Sequence, residues 1–358
     1  MSKNTVGNGI LGLNGLGRIG KLALWYNVAA KNYEHIFVNV GREIGKDFDA
    51  LLHYVSSDSS YGKLDRFLGG FNGQSVLSIV DREDRTVDID GVRVTFLQQE
   101  RNPKDIPWRA NDVRLVIDCT GKFIDPTLPP DNPGGSLSGH LAAGARIALN
   151  SSAFKIKDKA AQLPPSAATL MFGINHGAFD PTKHSLISSA SCTTTALAHM
   201  MKPLLENSLT NRMLTAAMTT IHASTNTQAV LDRAPAKGAT DYRKTRSIMD
   251  NIILTSTNAA RALELVVPEI KGIGFLADSV RVPLKTGSVI ILNCTFQSQI
   301  DSGGKASITR DSINKIYEDY SFATDSGVNF STVQNVSGDI VGEPSAVVIE
   351  SLETHTRT

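Results

Sequence analysis

The feature that most constrains the fold is a cluster of glycines between an apolar segment and a helix-like segment near the start of the chain. The sequence GILGLNGLGRIGKLALWYNVAA contains Gly15, Gly17 and Gly20 in the spacing GxGxxG. A second apolar segment, HIFVNV, ends near Val40. A strand, a tight turn, a helix and a second strand form a βαβ unit, in which the two strands run parallel in one sheet.

The glycines favour a dinucleotide-binding site at this turn. Without Cβ atoms the backbone can turn tightly, approach a pyrophosphate and pack the helix against the strand. The helix that follows offers free backbone N–H groups to an anion. The spacing alone also fits an ordinary turn, but the strand before it and the helix after it favour Gly15, Gly17 and Gly20 as cofactor-binding residues.

The acidic residue that usually selects NAD is absent from the end of the second strand. In dinucleotide-binding folds an Asp or Glu about 20 residues after the glycines accepts hydrogen bonds from the ribose hydroxyls. Here Val40 stands in that place and is followed by Gly41 and Arg42. An arginine can bind the 2′-phosphate of NADP, although Arg42 can equally be a solvated loop charge. The sequence therefore leaves both NAD and NADP open as cofactors.

The rest of the first half continues the alternation of strands and helices. Strand-like segments lie in GVRVTFLQQ, VRLVIDCTG and ARIALNSS, and the helix-like HLAAGA precedes the last of them. We therefore predict an α/β, Rossmann-type dinucleotide-binding domain over residues 1–190. Within it, residues 125–139 are rich in proline and glycine, which predicts a surface loop.

The sequence pattern changes after Cys192. One helix-like run to about Leu205 is followed by the β-rich segments RMLTAAMTTIHAST and SVRVPLKTGSVIILNCTFQS. Long β-rich segments without intervening helices are typical of an antiparallel sheet. We therefore predict an α+β catalytic domain with a mainly antiparallel sheet over residues 191–358.

Composition excludes several classes of protein. A formal net charge of +1, with 20% charged residues, does not favour a nucleic-acid partner. No run approaches the roughly 20 apolar residues that cross a bilayer, and the first residues contain no signal core. The three cysteines lack CxxC spacing, which argues against zinc and against a disulfide framework. We expect a soluble, cytoplasmic protein that binds neither a metal, a membrane nor nucleic acid.

The stretch SASCTTTALAHMM places Cys192 at the predicted start of a helix, between hydroxyl residues of the N-capping type. A lone cysteine is commonly a buried core thiol, but free N–H groups and the helix dipole at this position would favour a thiolate. His222, at the end of a strand-like run, is the candidate base. His199 lies about two helical turns beyond Cys192 and is expected to point away from it.

Taken in order, these motifs resemble those of the phosphorylating glyceraldehyde-3-phosphate dehydrogenases, over nearly the entire chain. NGLGRIG is similar to the cofactor loop of that family and SASCTTT to its nucleophile motif, and HASTNTQ, TSTNAA and DSVRVP follow at suitable intervals. The resemblance implies oxidation of a phosphorylated aldehyde, glyceraldehyde 3-phosphate, to 1,3-bisphosphoglycerate, with inorganic phosphate and NAD or NADP. It also implies a homotetramer, in which residues 229–246 lie near a neighbour's cofactor.

The resemblance implies a role for each candidate residue. Cys192 attacks the aldehyde and His222 accepts protons. Thr225 and Arg281 face the phosphate of the substrate. The attacking phosphate is bound by Ser191, Thr193, Arg246, Thr257 and Asn258. Besides the three glycines and Arg42, the cofactor is bound by Arg18, Ile19, Arg101, Thr120, Gly121, Phe123 and Ser151. The alternatives are helix caps or turns for the hydroxyls, a surface ion pair for Arg281 and a core position for Phe123.

Two departures from the family pattern leave alternatives open. Asn258 replaces a glycine, and we expect it to tolerate left-handed backbone angles. The family's Trp-Tyr-Asp-Asn-Glu motif and terminal helix do not follow the last segment, which indicates a truncated chain or, less favoured, a paralogue with weakened cofactor positioning. The competing functions are oxidation of erythrose 4-phosphate and a catalytically weakened binding protein that keeps the dinucleotide fold.

Overall fold

The computed structural model forms two compact units. The first contains the described residues up to Leu170 together with Ala178–Ala190, and the second contains Met171–Gly177 and the residues from Ser191 onward. The short segment Met171–Gly177 therefore groups with the second unit, although it lies within the predicted range 1–190. The structure describes residues 9–357 except Gln99, Lys159 and Asp301.

The first unit is built on one large sheet. The strands of this unit are β1 (Ile10–Asn14), β2 (His35–Asn39), β3 (Ser57–Asp58), β4 (Gly62–Lys63), β5 (Leu77–Asp81), β6 (Thr86–Ile89), β7 (Val92–Leu97), β8 (Leu115–Asp118), β9 (Ile147–Asn150), β10 (Ala167–Thr169) and β11 (Leu186–Ser188). Strands β3 and β4 form a separate antiparallel pair. The helices of this unit are α1 (Arg18–Ala30), α2 (Phe48–Val55), α3 (Leu64–Gly69) and α4 (Gly139–Ala142). The sheet has the order β10-β11-β9-β8-β1-β2-β7-β6-β5. Neighbours from β10 to β7 are parallel, and β6 and β5 add an antiparallel edge.

The order of the parallel strands confirms the Rossmann-type prediction. From β1 the chain first proceeds to β2 and β7 on one side, and then returns to β8 and β9 on the other. Ligands of such sheets bind outside the carboxyl ends of the strands where this direction reverses, here between β1 and β8. Helix α1 begins after Gly17 and buries Leu24, Trp25 and Val28 in the core beside the sheet. This burial fixes the helix and the glycine turn that precedes it.

The segment 125–139 differs from the predicted surface loop. Leu137 and Ser136 are fully buried and Asp125 is almost so. Leu137 packs with Phe123 and Leu186 in a separate core cluster of the first unit. Proline and glycine correctly indicated irregular backbone, but they gave no information about the apolar and hydrogen-bonded side chains that fasten this segment.

The second unit contains a four-stranded sheet and a two-stranded one. Its elements are α5 (Cys192–Glu206), β12 (Met213–Ala223), β13 (Ile253–Thr255), α6 (Ala259–Leu263), β14 (Gly274–Val282), β15 (Ser288–Phe296), α7 (Arg310–Ser321), β16 (Val328–Ser331) and β17 (Val347–Glu350). The larger sheet has the order β13-β14-β12-β15, and β16 pairs with β17 in parallel. Short 3-10 helices occupy Gly70–Asn72, Pro103–Asp105, His176–Ala178, Tyr242–Thr245, Pro268–Gly272 and Ser351–Glu353.

The larger sheet of this unit is mixed. Strand β12 pairs in parallel with β14 and antiparallel with β15, whereas β13 and β14 are antiparallel. Strands β14 and β15 are consecutive in the chain, but β12 lies between them in the sheet. Among the described residues, no helix is long and apolar enough to cross a membrane.

Candidate active site

Cys192 is the first residue of helix α5, and its side chain is exposed. Ser191 caps the helix, because its hydroxyl accepts a hydrogen bond from the backbone N–H of Thr194. The remaining free N–H groups of the first turn lie beside the cysteine, where the positive end of the helix dipole favours an anion. The local sequence therefore places a thiol where its ionised form is stabilised.

Strand β12 brings His222 to the same place. Side chains alternate along a strand, so His222 lies on the face of the sheet that carries the buried residues Met218 and Thr220. Arg281 of β14 is its partner in the parallel register. Helix α5 contacts this sheet at β15. Two adjacent strands and one helix thus bring the cysteine, the histidine and the arginine together.

The thiol and the imidazole form a direct pair. Cys192 Sγ lies 3.4 Å from His222 Nε2. The other ring nitrogen, Nδ1, is 2.8 Å from the Ala223 carbonyl oxygen and contacts Nη1 of Arg281, which also donates to that carbonyl at 2.9 Å. The carbonyl favours a proton on Nδ1, whereas the guanidinium, which can only donate, favours Nδ1 without one. Nε2 can therefore accept a proton in one tautomer and donate to the sulfur in the other.

The electrostatic surroundings distinguish Cys192 from the other thiols. Desolvation raises the pKa of Cys192, but the hydrogen bond and charge of His222, with help from Thr193, outweigh it and hold this pKa below its ordinary value. Burial raises the pKa of Cys119 and of Cys294 to about 12. The thiolate is the reactive form, so Cys192 has the properties of a nucleophile and the other two cysteines do not.

Several candidate anion-binding groups lie close to this pair. The Nε of Arg281 is buried and has no hydrogen-bond partner among the described residues. The hydroxyl of Thr193 is 3.9 Å from Cys192 Sγ. Thr225, two residues beyond the end of β12, bonds through its hydroxyl to Thr227 and to the side-chain oxygen of Gln228. A guanidinium with a free donor and adjacent hydroxyls match the donors that bind a phosphate.

The three remaining predicted phosphate ligands are Thr257, Asn258 and Arg246. The Thr257 hydroxyl accepts a hydrogen bond from the backbone of Ala259, at the start of α6. Asn258 has a φ of −100°, so it does not use the left-handed angle that asparagine would tolerate at this position. Arg246 forms an exposed ion pair with Asp232, and its described contacts do not include Cys192.

The glycine turn of the first unit has the geometry that a dinucleotide requires. Gly15 has a φ of +94°, and a Cβ there would lie 2.9 Å from the side chain of Thr120. A Cβ on Gly20 would lie 2.0 Å from the Gly15 carbonyl oxygen, whereas the same position on Gly17 faces open space. The turn is thus closed towards the protein and open on one side, which fits a pyrophosphate at the start of α1.

Two family models match this chain. The model described as glyceraldehyde 3-phosphate dehydrogenase, NAD binding domain, matches residues 10–126, and that described as glyceraldehyde 3-phosphate dehydrogenase, C-terminal domain, matches residues 191–358. The chain belongs to the glyceraldehyde-3-phosphate dehydrogenase family. The family resemblance stated from the sequence is therefore confirmed, and the first unit contains the family's NAD-binding domain.

Relatives named as glyceraldehyde-3-phosphate dehydrogenases align with nearly the whole chain. Glyceraldehyde-3-phosphate dehydrogenase 2 of Streptomyces avermitilis is 33% identical over 345 residues, covering 96% of this chain and 88% of the relative. Glyceraldehyde-3-phosphate dehydrogenase of Streptomyces coelicolor is 33% identical, covering 95% and 88%. Glyceraldehyde-3-phosphate dehydrogenase 2 of Bacillus subtilis is 30% identical, covering 96% and 86%.

Within the NAD-binding domain, the strand end that was predicted to select the cofactor is an ordered turn. Gly41 has a φ of +66°, and its carbonyl oxygen accepts a hydrogen bond of 3.1 Å from Nε of Arg101. Arg42 and Arg101 are both exposed. The two arginines predicted to bind the adenosine side of the cofactor therefore flank one glycine turn.

The remaining predicted cofactor residues occupy different environments. Arg18 and Ile19 open helix α1 with exposed side chains, and Thr120 and Gly121 are exposed in the turn after β8. Ser151 follows β9, and its backbone N–H donates to the Asp118 carbonyl. Phe123 is only 4% exposed and packs in the core with Leu137. Its side chain contributes to packing, and a contact with the cofactor stays a prediction.

Sequence reasoning missed a group of buried polar residues in this domain. Asp118, at the end of β8, accepts hydrogen bonds from Asn14, Thr120 and His140. The pattern Asp-x-Thr after an apolar strand is a signal for such a turn, but His140 has no signal in its local sequence. Groups of three or more His, Cys, Asp or Glu that could hold a metal are absent from the residues that the structure describes.

Proposed function

We propose that this protein catalyses the phosphorylating oxidation of glyceraldehyde 3-phosphate to 1,3-bisphosphoglycerate. The observation that carries the proposal is the pair of Cys192 Sγ and His222 Nε2, 3.4 Å apart at the start of a helix in a chain of this family. The names of the relatives point to glyceraldehyde 3-phosphate as the substrate, and the Nε of Arg281, unpartnered among the described residues, supports a substrate that carries a phosphate. Cys192 and His222 are the proposed catalytic residues.

The first chemical step joins the substrate to the enzyme. The Cys192 thiolate attacks the aldehyde carbon, a C–S bond forms, and the former carbonyl oxygen takes up a proton to give a hemithioacetal. His222 Nε2 then removes the hydroxyl proton as the carbon is oxidised to a thioester. When bound, the nicotinamide dinucleotide accepts the hydride that leaves this carbon. Arg281, beside His222, holds the substrate phosphate by charge-assisted hydrogen bonds.

The second step releases the product. An oxygen of inorganic phosphate attacks the thioester carbon, the C–S bond breaks, and the Cys192 thiolate leaves with its electron pair. The product is an acyl phosphate. The lowered pKa of Cys192 makes its thiolate a better leaving group as well as an available nucleophile. Ser191, Thr193, Arg246, Thr257 and Asn258 are the proposed ligands of the attacking phosphate.

Cofactor choice is the finer part of the proposal. The family's domain supports NAD or NADP, and the protein fits NADP because Val40 offers no carboxylate while Arg42 is exposed beside it. A 2′-phosphate meets no repulsion from a carboxylate at Val40, and the guanidinium of Arg42 can bind it. We therefore propose that NADP is accepted along with NAD, in a cytoplasmic enzyme whose thiols stay reduced.

A homotetramer is proposed from the family resemblance and from one surface of the second unit. The face of the larger sheet opposite His222 carries Leu276, Val289 and Ile291, which are 72%, 50% and 49% exposed. Register places all three on this face, since Ala217 pairs with Leu276, Thr219 with Ile291 and Ile221 with Val289. Exposed large apolar side chains on one sheet face are typical of a subunit interface.

The activity assay separates this function from its alternatives. We expect NADH or NADPH formation from glyceraldehyde 3-phosphate that requires inorganic phosphate and is lost in Cys192→Ser. A higher kcat/KM with erythrose 4-phosphate would replace the proposed substrate. Hydride transfer that proceeds equally without phosphate would contradict phosphorolysis, and no hydride transfer with any of these substrates would favour a binding protein. No feature of the described site favours either alternative.

A further inference from the structure

We propose that Asp118 is a positioning residue for the dinucleotide. Its buried carboxylate holds the turns after β1, β2 and β8 in the arrangement that receives the cofactor. This inference rests on the cofactor site proposed above, most of whose residues follow those three strands. Asp118 itself is fully buried and is the last residue of β8.

Four hydrogen bonds saturate the Asp118 carboxylate. Oδ1 accepts from the backbone N–H of Thr120 at 3.0 Å and from its hydroxyl at 2.6 Å. Oδ2 accepts from Asn14 Nδ2 at 2.7 Å and from His140 Nε2 at 3.0 Å. A carboxylate removed from water is tolerated only with such a complete set of donors. Each donor is therefore held in place by the charge that it satisfies.

His140 is a fixed neutral donor to this carboxylate. Nε1 of Trp108 lies 2.9 Å from His140 Nδ1, and an indole nitrogen can only donate. Nδ1 therefore accepts, so the single ring proton sits on Nε2 and points to Asp118. Both His140 and Trp108 are fully buried. Among the described residues, the hydrogen bonds of the His140 ring join only Asp118 and Trp108, and the ring also lies edge-on to Phe123 with centroids 6.5 Å apart.

The network continues along the carboxyl ends of three adjacent strands. Asn14 pairs in register with Asn39 of β2 on one side and with Asp118 of β8 on the other. Asn39 Nδ2 donates to Asn14 Oδ1 at 2.8 Å and to the Glu100 carbonyl at 2.9 Å. Asn39, Asn14 and Asp118 thus form a row across the ends of β2, β1 and β8. The residues that follow them in the chain are Val40, Gly15 and Cys119. One set of hydrogen bonds thus ties together the glycine turn, the turn of Arg42, the segment of Arg101 and the turn of Thr120.

Because of where Asn39, Asn14 and Asp118 lie, a small displacement of these residues would change how the cofactor binds. Their row crosses the switch point between β1 and β8, outside which dinucleotides bind in such sheets. The backbone N–H of Cys119 donates to the Asn14 carbonyl at 2.7 Å, and that of Gly15 donates to the Asn39 carbonyl at 2.8 Å. Gly15 and Thr120 are so close that a Cβ on the glycine would contact Thr120. A change in the Thr120 turn therefore reaches the pyrophosphate turn directly.

Asp118→Asn is the decisive substitution, and the chain offers a matched control. Asparagine keeps the shape but has one acceptor oxygen and places an amide N–H opposite existing donors. Asp125 is also buried and heads the same Asp-x-Thr pattern. It accepts from Thr127 N at 3.1 Å, from Thr127 Oγ1 at 2.6 Å and from Lys157 N at 3.0 Å. Its described bonds reach no residue proposed to bind cofactor, so Asp125→Asn measures the general cost of removing a buried carboxylate.

The measurement is the Kd of NADH and NADPH for the full-length wild type and both variants, with kcat and KM for the cofactor and the Tm. We expect Asp118→Asn to raise Kd and KM by about tenfold or more, with kcat at saturating cofactor within about twofold of wild type. Asp125→Asn lowers the Tm but leaves Kd within about twofold. Equal Kd values for wild type and Asp118→Asn would overturn the inference.

A milder variant covers the case in which Asp118→Asn does not fold. His140→Leu removes this N–H donor and keeps an apolar side chain against Phe123, and we expect it to raise Kd by about threefold in the same direction. An unchanged Kd in a folded His140→Leu protein would then overturn the inference. A wild-type protein that binds neither dinucleotide would instead overturn the proposed cofactor site on which the inference rests, and that result is read from the wild type alone.

Discussion

Cys192 Sγ lies 3.4 Å from His222 Nε2, and the strand register places Arg281 beside His222. The thiol thus shares one short contact with the group that lowers its pKa and that can remove the proton in the oxidation step. The three side chains come from a helix start and two adjacent strands of the same unit. The chemistry proposed for this protein depends on that arrangement.

Replacement of the nucleophile abolishes phosphorylating oxidation. In Cys192→Ser the hydroxyl is not ionised near neutral pH, so we expect kcat to fall by roughly three orders of magnitude or more. Cys294→Ser is the matched control, because burial raises the pKa of Cys294 to about 12 and keeps this thiol inert. Steady-state assays should show activity within about twofold of wild type for a folded Cys294→Ser protein. Comparable losses of activity in the two variants would show that Cys192 is not the nucleophile.

Removal of the base changes both the rate and the thiol. We expect His222→Asn to lower kcat by about 10²–10⁴-fold. Because the hydrogen bond and charge of His222 lower the pKa of Cys192, their loss leaves desolvation unopposed and raises that pKa. The thiolate then appears only at higher pH, so the pH profile of alkylation by iodoacetamide shifts upward. A profile that stays in place in His222→Asn would show that His222 does not ionise the thiol.

We expect Arg281 to discriminate between phosphorylated and unphosphorylated aldehydes. A charge-assisted hydrogen bond is worth about 1.5–3 kcal/mol, so Arg281→Leu should lower kcat/KM for glyceraldehyde 3-phosphate by roughly 10–100-fold more than for glyceraldehyde. Unphosphorylated glyceraldehyde is the internal control for the contact of Arg281 with His222. An equal loss with both substrates would place the effect of Arg281 on His222 rather than on the phosphate.

We expect substitution of Arg42 to affect the binding of NADP and not that of NAD. If its guanidinium binds the 2′-phosphate, Arg42→Ala raises the KM for NADP by about tenfold and leaves the KM for NAD nearly unchanged. Arg42 is exposed, so the substitution should not affect folding. The two KM values are measured on the same preparation. An unchanged KM for NADP would leave Arg42 as a solvated loop charge.

The sequence predicted the parts of the fold that depend on local pattern. Apolar runs located β2 and β7, and the hydroxyl residues before Cys192 located the start of α5. The sequence did not indicate which strands pair in the second sheet, because insertion of β12 between β14 and β15 depends on packing between distant segments. Local pattern likewise contains no information that Met171–Gly177 groups with the second unit.

The residues of the candidate site likewise divide into those that a local sequence pattern reveals and those that depend on distant segments. Cys192, His222 and the glycines were found because their chemistry requires a recognisable local setting. Asp118 was missed because its meaning depends on partners far away in the chain: Asn14 is 104 residues distant. Buried polar networks are satisfied across strands, and no period of two or 3.6 residues reports them.

The most direct test of the account is the intact mass of the protein after reaction with glyceraldehyde 3-phosphate and excess NAD in the absence of inorganic phosphate. We predict a mass increase equal to one acyl group, located by peptide mapping on Cys192, and its disappearance on addition of phosphate with release of the acyl phosphate. An unmodified Cys192 while reduced cofactor accumulates under these conditions, or an acyl group on another residue, would contradict the proposed thioester.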